Sequence, residues 1–241
     1  VMTEEEAQMV EARRHVKAVE EDVEDEALPG TVTDWGEKYV GYRAAMQSIG
    51  DGYDPDARVF HGLDKAYVAG HKGEGIVVAV GDTGIRTATA GEVFAGRVRA
   101  SRSFIEGQDM EDLNGHGDFC CVAACPHESE LIVGKLLSNA GSGPRSGVIA
   151  FISWAVDKGA DVVSLSLGGS GFSQAYEDVI KAARDRGTLV FCASGNGGRS
   201  GEPANAPPNS PSAIACGASD YRNEKVADFS FKGPELANGF S

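Results

Sequence analysis

The sequence predicts an α/β protein in which a mostly parallel β-sheet lies between two layers of helices. From Gly75 onward, short continuous apolar runs alternate with segments that have helical spacing. Such alternation is typical of parallel sheets, whose crossover helices cover both faces. The chain has 241 residues, of which 41% are hydrophobic, so it is large enough to bury a substantial core.

The strands are predicted from uninterrupted apolar runs, because a strand that is buried on both faces does not alternate with polar residues. Ile76–Val80 shows this pattern best, and Gly81-Asp82-Thr83-Gly84 follows it directly. The predicted strands are Ile76–Val80, Val98–Phe104, Leu131–Leu137, Asp161–Leu167, Thr188–Ala193 and Ser212–Ala218.

The helices are predicted from apolar residues three and four positions apart. Val148, Phe151, Ile152 and Ala155 have this spacing. Further helices are predicted over 114–125 and 173–186 and, before the regular region, over Leu63–Ala69 and Glu37–Gln47.

Charge and composition exclude several classes of function. The net charge is −14, from 22 basic and 36 acidic residues, so nucleic acid and anionic membranes would repel the protein.

The sequence has no apolar run of about 18 residues and therefore predicts no membrane span. Residues 1–26 are acidic and show no signal peptide. The five cysteines have neither a simple disulfide pattern nor zinc-knuckle spacing, and buried free thiols are the simplest interpretation.

Three short motifs carry the candidate chemistry, and each also has a structural interpretation. Asp82 ends a buried strand, where it is either a ligand-facing acid or a turn residue. His116 lies between two glycines at a predicted helix start, and it is either a catalyst or a structural histidine. Asn196, in Ser194-Gly195-Asn196-Gly197, is either an amide donor or an ordinary turn residue.

Taken in order, these motifs and their surroundings resemble the subtilase family of serine proteases. The resemblance covers roughly residues 60–241 and is carried by 75–85 (GIVVAVGDTGI), 112–117 (DLNGHG), 135–169, 188–197 (TLVFCASGNG) and 211–234. It implies a subtilisin-like catalytic domain over 74–241 that is truncated at its C-terminus, after a linker and lead-in over 31–73. Residues 3–22 resemble the second half of the family's inhibitory propeptide, so 1–30 is expected to be a partial α/β propeptide-like unit; an ordinary acidic helix is the alternative.

The resemblance also implies roles for individual residues. Asp82 would orient His116, the general base, and Asn196 would donate to the oxyanion. A peptide or protein substrate would bind as an added β-strand. The expected walls of its cleft are Gly141, Ser142 and Gly143 on one side and Ser166, Leu167 and Gly168 on the other, with Leu137, Arg145 and Leu167 as pocket residues. Arg145 would either favour acidic substrates or remain a solvated surface residue.

The sequence departs from the family in its nucleophile. The Gly-Thr-Ser-Met-Ala motif that carries the family's serine does not occur, and neither Ser230 nor Ser241 has a suitable context. We therefore expect a serine endopeptidase whose serine lies beyond this chain. The chain by itself would be inactive and not stably folded. The alternatives are a catalytically dead module that binds peptides or a partner, and a split protease completed by a second chain. The expected partners are accordingly a substrate and either the propeptide or a complementing chain.

Some residues near the motifs have further expected roles. Asp118 would be either a charge close to His116 or a cap of the helix N-terminus. Cys120, Cys121 and Cys125 lie on the same predicted helix, where a thiol near the site would confer sensitivity to oxidants or mercurials.

Calcium is the one cofactor that the resemblance suggests; the acidic cluster Asp109, Glu111 and Asp112 is either its site or a solvated loop. Secretion is expected from the resemblance alone.

Overall fold

A computed structural model describes residues 63–169, 171–198, 206–220 and 225–231 of the chain. The unit predicted over 1–30, the helix predicted over Glu37–Gln47 and Ser241 lie outside these described residues. The expected domain boundaries therefore stay predictions. Within the described ranges, no helix combines the length and the apolar character that crossing a membrane requires.

Six parallel strands form the central sheet, in the order β2-β3-β1-β4-β5-β6. Strand β1 therefore lies between β3 and β4, and its last residue, Asp82, is paired with Lys135 of β3. The strands are β1 (Val77–Asp82), β2 (Val98–Ser103), β3 (Glu130–Lys135), β4 (Val162–Leu165), β5 (Leu189–Ala193) and β6 (Ile214–Cys216).

Helices cover both faces of this sheet, which confirms the predicted three-layer architecture. Alternate strand residues point to opposite faces, so each strand contributes to two apolar clusters. One cluster packs Val78 and Val80 against the helix that begins at His116, and the other packs Ala79 against Phe151 and Ile180. The helices are α1 (Leu63–Val68), α2 (Thr87–Glu92), α3 (His116–Ala124), α4 (Arg145–Asp157) and α5 (Gln174–Asp185).

The structure differs from the predicted elements in a few places. Helix α2 was not predicted because its sequence, TATAGE, has no apolar stripe. Strand β6 is shorter than the predicted 212–218, since the Ala213 N–H donates to the Ser210 carbonyl in a turn before the strand. A small antiparallel pair follows it, formed by β7 (Ser219–Asp220) and β8 (Lys225–Val226).

Helix α4 approaches the sheet closely because two paired glycines lie beneath its buried aromatic residue. Gly81 of β1 is paired with Gly134 of β3, and Phe151 packs over both. A Cβ atom on Gly81 would lie 2.6 Å from the Phe151 ring and 2.5 Å from the Leu136 side chain. The absence of side chains at these two positions therefore sets the distance between α4 and the sheet.

We expect Gly81→Ala to lower the free energy of unfolding by about 1–3 kcal/mol, because the added methyl group must displace Phe151. The control is Gly91→Ala in α2, where no other atom lies within 4 Å of the position that the added Cβ would take. This substitution should stabilise the protein by up to about 1 kcal/mol. Urea unfolding of a longer form that also contains the serine segment measures both changes. Equal midpoints for the two variants would contradict the proposed packing.

Candidate active site

Asp82 and His116 form a close carboxylate–imidazole pair at the carboxyl end of β1. His116 Nδ1 lies 2.8 Å from Asp82 Oδ1, which also accepts the Thr83 N–H at 2.7 Å. The aspartate side chain is fully buried, whereas that of the histidine is 31% exposed. Because an ionised carboxylate only accepts hydrogen bonds, pairing with it favours a proton on Nδ1 of the ring.

The pair is held together by contacts between the end of β1 and the start of α3. The Thr83 hydroxyl donates to Asp112 at 2.9 Å and accepts the Gly117 N–H at 2.7 Å. A Cβ on Gly117 would lie 2.8 Å from the Gly84 nitrogen. Glycine at position 117 therefore lets the helix approach the strand closely enough for His116 to reach Asp82.

Asp112 organises the loop that leads into α3. Its Oδ1 accepts the N–H groups of Asn114 and Gly115 at 3.0 and 2.9 Å, and its Oδ2 accepts the Asp118 N–H at 2.8 Å. Burial alone would raise the pKa of Asp112, but these hydrogen bonds and that of Thr83 outweigh it and lower the pKa. The carboxylate is therefore ionised and fully used in fixing the loop.

Asp118 lies in the first turn of α3, and its side chain bonds to the region of α2 rather than capping its own helix by a hydrogen bond. Its buried carboxylate accepts the Arg86 N–H at 2.7 Å, the Arg86 side-chain Nε–H, and the Thr89 hydroxyl at 2.7 Å. Its partners thus belong to α2 and to the residue before it, so that Asp118 joins helices α2 and α3.

The predicted acidic cluster does not fit a calcium ion. Asp112 already accepts four hydrogen bonds, and Glu111 Oε2 accepts the N–H and hydroxyl of Thr87 at 3.0 and 2.8 Å. The buried ammonium of Lys135 already places a positive charge in this region, since its Nζ donates to the Thr83 and Glu111 carbonyls at 2.5 and 3.1 Å. Burial lowers the pKa of Lys135, against the opposing effect of the nearby acids. We therefore assign no calcium to this cluster.

A groove of about 520 Å³ runs beside His116. Its two walls are the loops that follow β3 and β4, the strands on either side of β1, so the groove lies over the end that carries Asp82. All six predicted wall residues line it: Gly141, Ser142, Gly143, Ser166, Leu167 and Gly168. The predicted pocket residues Leu137 and Arg145 line it as well.

The groove is basic within an acidic protein. Arg145 is exposed, and its guanidinium lies over the Tyr176 ring, 5.3 Å from the ring centroid. Among the described residues, the groove lining includes no carboxylate. Arg145 is the arginine of this lining, which includes no lysine among the described residues.

The structure does not bring Asn196 into this lining. It lies exposed in the loop after β5, which is fixed by the hydrogen bonds from Gly198 N–H to the Phe229 carbonyl (2.8 Å) and from Phe231 N–H to the Gly195 carbonyl (3.0 Å). The role of Asn196 as an oxyanion donor stays a prediction. Ser230 is buried, and its hydroxyl accepts the Ala218 N–H at 2.9 Å, so it does not face the groove.

Sequence reasoning missed the organising roles of Thr83 and Lys135, whereas it did expect a thiol near the site, and that thiol is the one of Cys120. Cys120 Sγ lies 3.7 Å from His116 Nδ1. The four-residue spacing on one helix places both side chains on the same face, so this contact had a signal in the sequence. The hydroxyl of Thr83 and the ammonium of Lys135 had no comparable local signal.

Comparison with known proteins agrees with the family resemblance seen in the sequence. Residues 73–240 match the model of the subtilase family. The chain is 34% identical to subtilisin DY of Bacillus licheniformis over 187 residues, which cover 72% of this chain and 66% of the relative. It is 34% identical to subtilisin Savinase of Lederbergia lenta (71% and 65% covered) and 30% identical to thermitase of Thermoactinomyces vulgaris (67% and 61%). The chain thus spans less than two thirds of the length of these relatives.

We expect Asp112→Asn to lower the free energy of unfolding at pH 7 by about 1–3 kcal/mol, because one buried N–H loses its acceptor. The folded pKa of Asp112 lies below its usual value, so its stabilisation is present above about pH 4 and is lost as the pH falls through the folded pKa. The difference between wild type and variant should therefore shrink on acidification.

Urea unfolding of that longer form at a series of pH values measures this difference. Asp109→Asn is the matched control, since Asp109 is exposed and accepts a single local N–H, from Glu111 at 3.0 Å. A constant difference across the acid range for Asp112→Asn would show that the carboxylate charge is not what organises the loop.

Proposed function

This chain belongs to the subtilase family, and on that premise we propose that it supplies the aspartate, the histidine and the substrate groove of a serine endopeptidase. The nucleophilic serine would come from residues that follow this chain in a longer protein, or from a second chain. One observation carries the proposal: a buried carboxylate lies 2.8 Å from the Nδ1 atom of a partly exposed imidazole at the side of a peptide-sized groove.

In the proposed reaction, His116 is the proton carrier. Nε2 takes the proton of the serine hydroxyl as the oxygen attacks the peptide carbonyl, and it later returns a proton to the leaving amine. Asp82 holds the imidazole in the tautomer with the proton on Nδ1 and stabilises the cation that forms in between. The contacts of Thr83 and Asp112 support this role, because they fix the ring position before substrate binds.

The groove supports binding of an extended peptide. Its walls are main-chain-rich segments with small side chains, Gly141-Ser142-Gly143 and Ser166-Leu167-Gly168, which suit pairing with a substrate strand. Asn196 is proposed to donate its side-chain amide to the oxyanion, a contribution worth about 10²–10³ in rate in such enzymes.

A serine-reactive fluorophosphonate probe tests the assignment. We expect labelling of a longer protein that contains this chain together with the serine segment, and no labelling of residues 1–241 alone.

Asp82→Asn should slow labelling or peptide hydrolysis about 10⁴-fold, because the imidazole loses its orienting partner. His71→Ala is the control, since His71 lies outside the groove. Undiminished reactivity of Asp82→Asn would refute the proposed pair, and a complete but unreactive protein would favour the dead peptide-binding module.

Arg145 is proposed to favour an acidic side chain in the substrate. We expect a Glu-containing peptide to be cleaved about two- to fivefold faster than the matched Gln peptide, the range expected of an exposed ion pair, and the preference to weaken at high salt. Arg145→Gln should abolish the preference. Arg99→Gln, which removes an exposed arginine outside the groove, should leave it unchanged. Rates for Glu/Gln pairs at each position before the scissile bond measure it, and equal rates at all positions would exclude the role of Arg145.

A further inference from the structure

The ammonium of Lys135 is shared between the end of β1 and the loop that follows β3. It donates to the Thr83 carbonyl at 2.5 Å, to the Glu111 carbonyl at 3.1 Å and to the side-chain oxygen of Asn139 at 2.7 Å. An ammonium has three donors, so these contacts use all of them. The lysine is fully buried, and its three acceptors are uncharged. One buried cation therefore connects the residue after Asp82 with the loop that forms a wall of the groove.

We propose that Asn139 is a positioning residue for the substrate: its contact with Lys135 holds the wall Gly141-Ser142-Gly143 in the conformation that binds an extended peptide. Asn139 is not one of the described residues that line the groove, so its effect on a peptide passes through the wall. This inference rests on the proposed function, because it takes the groove to be the peptide site.

The wall itself is an exposed turn. The Ser138 N–H donates to the Ser142 carbonyl and the Gly141 N–H donates to the Ser138 carbonyl, both at 2.8 Å. Gly141 and Ser142 are exposed to solvent. These two hydrogen bonds are internal to the turn, so they close it without fixing its orientation towards the rest of the site.

The two ends of the turn are attached in different ways. At the far end the backbones are in close contact, since a Cβ on Gly143 would lie 1.9 Å from the Leu136 carbonyl oxygen. At the near end the attachment is made by Asn139. Besides accepting from Lys135, it donates its N–H to the Gln108 side chain at 3.1 Å, and its carbonyl accepts the Asn114 side-chain amide at 3.2 Å.

The contact with Lys135 is the strongest of the three attachments at the near end. Hydrogen bonds in which one partner is charged are stronger than those between neutral groups. The Lys135 ammonium is charged and buried, whereas Gln108 and Asn114 are neutral and the latter is exposed. Removal of the Asn139 side chain would therefore leave the near end held by two neutral contacts.

A loosened wall would weaken peptide binding, because a substrate strand pairs only with a wall in the binding conformation. The apparent dissociation constant rises by the inverse of the fraction of molecules in that conformation, so a competent fraction of about one in ten gives a tenfold increase. The contacts of Lys135 with Thr83 and Glu111 do not involve Asn139. The Asp82–His116 pair should therefore keep its geometry.

Peptide affinity tests the role of Asn139 directly. Fluorescence anisotropy with a labelled, glutamate-containing peptide of about eight residues is measured on the longer form that contains the serine segment, with Asp82→Asn to prevent cleavage. We expect Asn139→Ala to raise Kd about five- to twentyfold. Asn139→Asp keeps an oxygen acceptor for Lys135 and should stay within about twofold of the parent.

The matched control is Gln174→Ala, which removes a side-chain amide and its 2.8 Å hydrogen bond to Asp178 from the exposed face of α5; its Kd should equal that of the parent. Circular dichroism confirms that the variants are folded. An unchanged Kd in folded Asn139→Ala, or an Asn139→Asp variant that binds as weakly as Asn139→Ala, would overturn the positioning role.

Kinetics with Asp82 restored separate positioning from a general structural defect. Fluorophosphonate labelling does not require a peptide on the wall, so its rate in Asn139→Ala should stay within about twofold of wild type, and so should kcat, whereas KM for the peptide rises. An equal loss of labelling rate and peptide affinity would overturn the positioning role. A parent that binds the peptide but is never labelled would refute the proposed catalysis alone.

Discussion

The close contact between the start of helix α3 and the end of strand β1 is the constraint on which the candidate site depends. Thr83 links Asp112 to the Gly117 N–H, and Gly117 has no side chain to hold the two backbones apart. These contacts set the distance between Asp82 and His116. The proposed proton transfer would benefit from such preorganisation, because the reaction would not have to supply the ordering of its groups.

The order of the strands extends this constraint to the whole groove. In a parallel sheet, the carboxyl ends of neighbouring strands meet at one edge, and β1 lies between β3 and β4. The loops after β3 and β4 therefore have to flank Asp82, and they are the two walls of the groove. Lys135 strengthens this edge, since its buried ammonium joins the end of β1 to the loops around Glu111 and Asn139.

The sequence predicted the sheet and the groove walls better than the support around them. Apolar runs such as Ile76–Val80 are informative because burial on both faces leaves no other pattern. The partners of Asp118 and Lys135 are 32 and 52 residues away in the chain, and no local pattern encodes contacts of that range. Helix α2 was missed for a related reason: its position depends on Asp118 holding Arg86 and Thr89, and its own sequence contributes little.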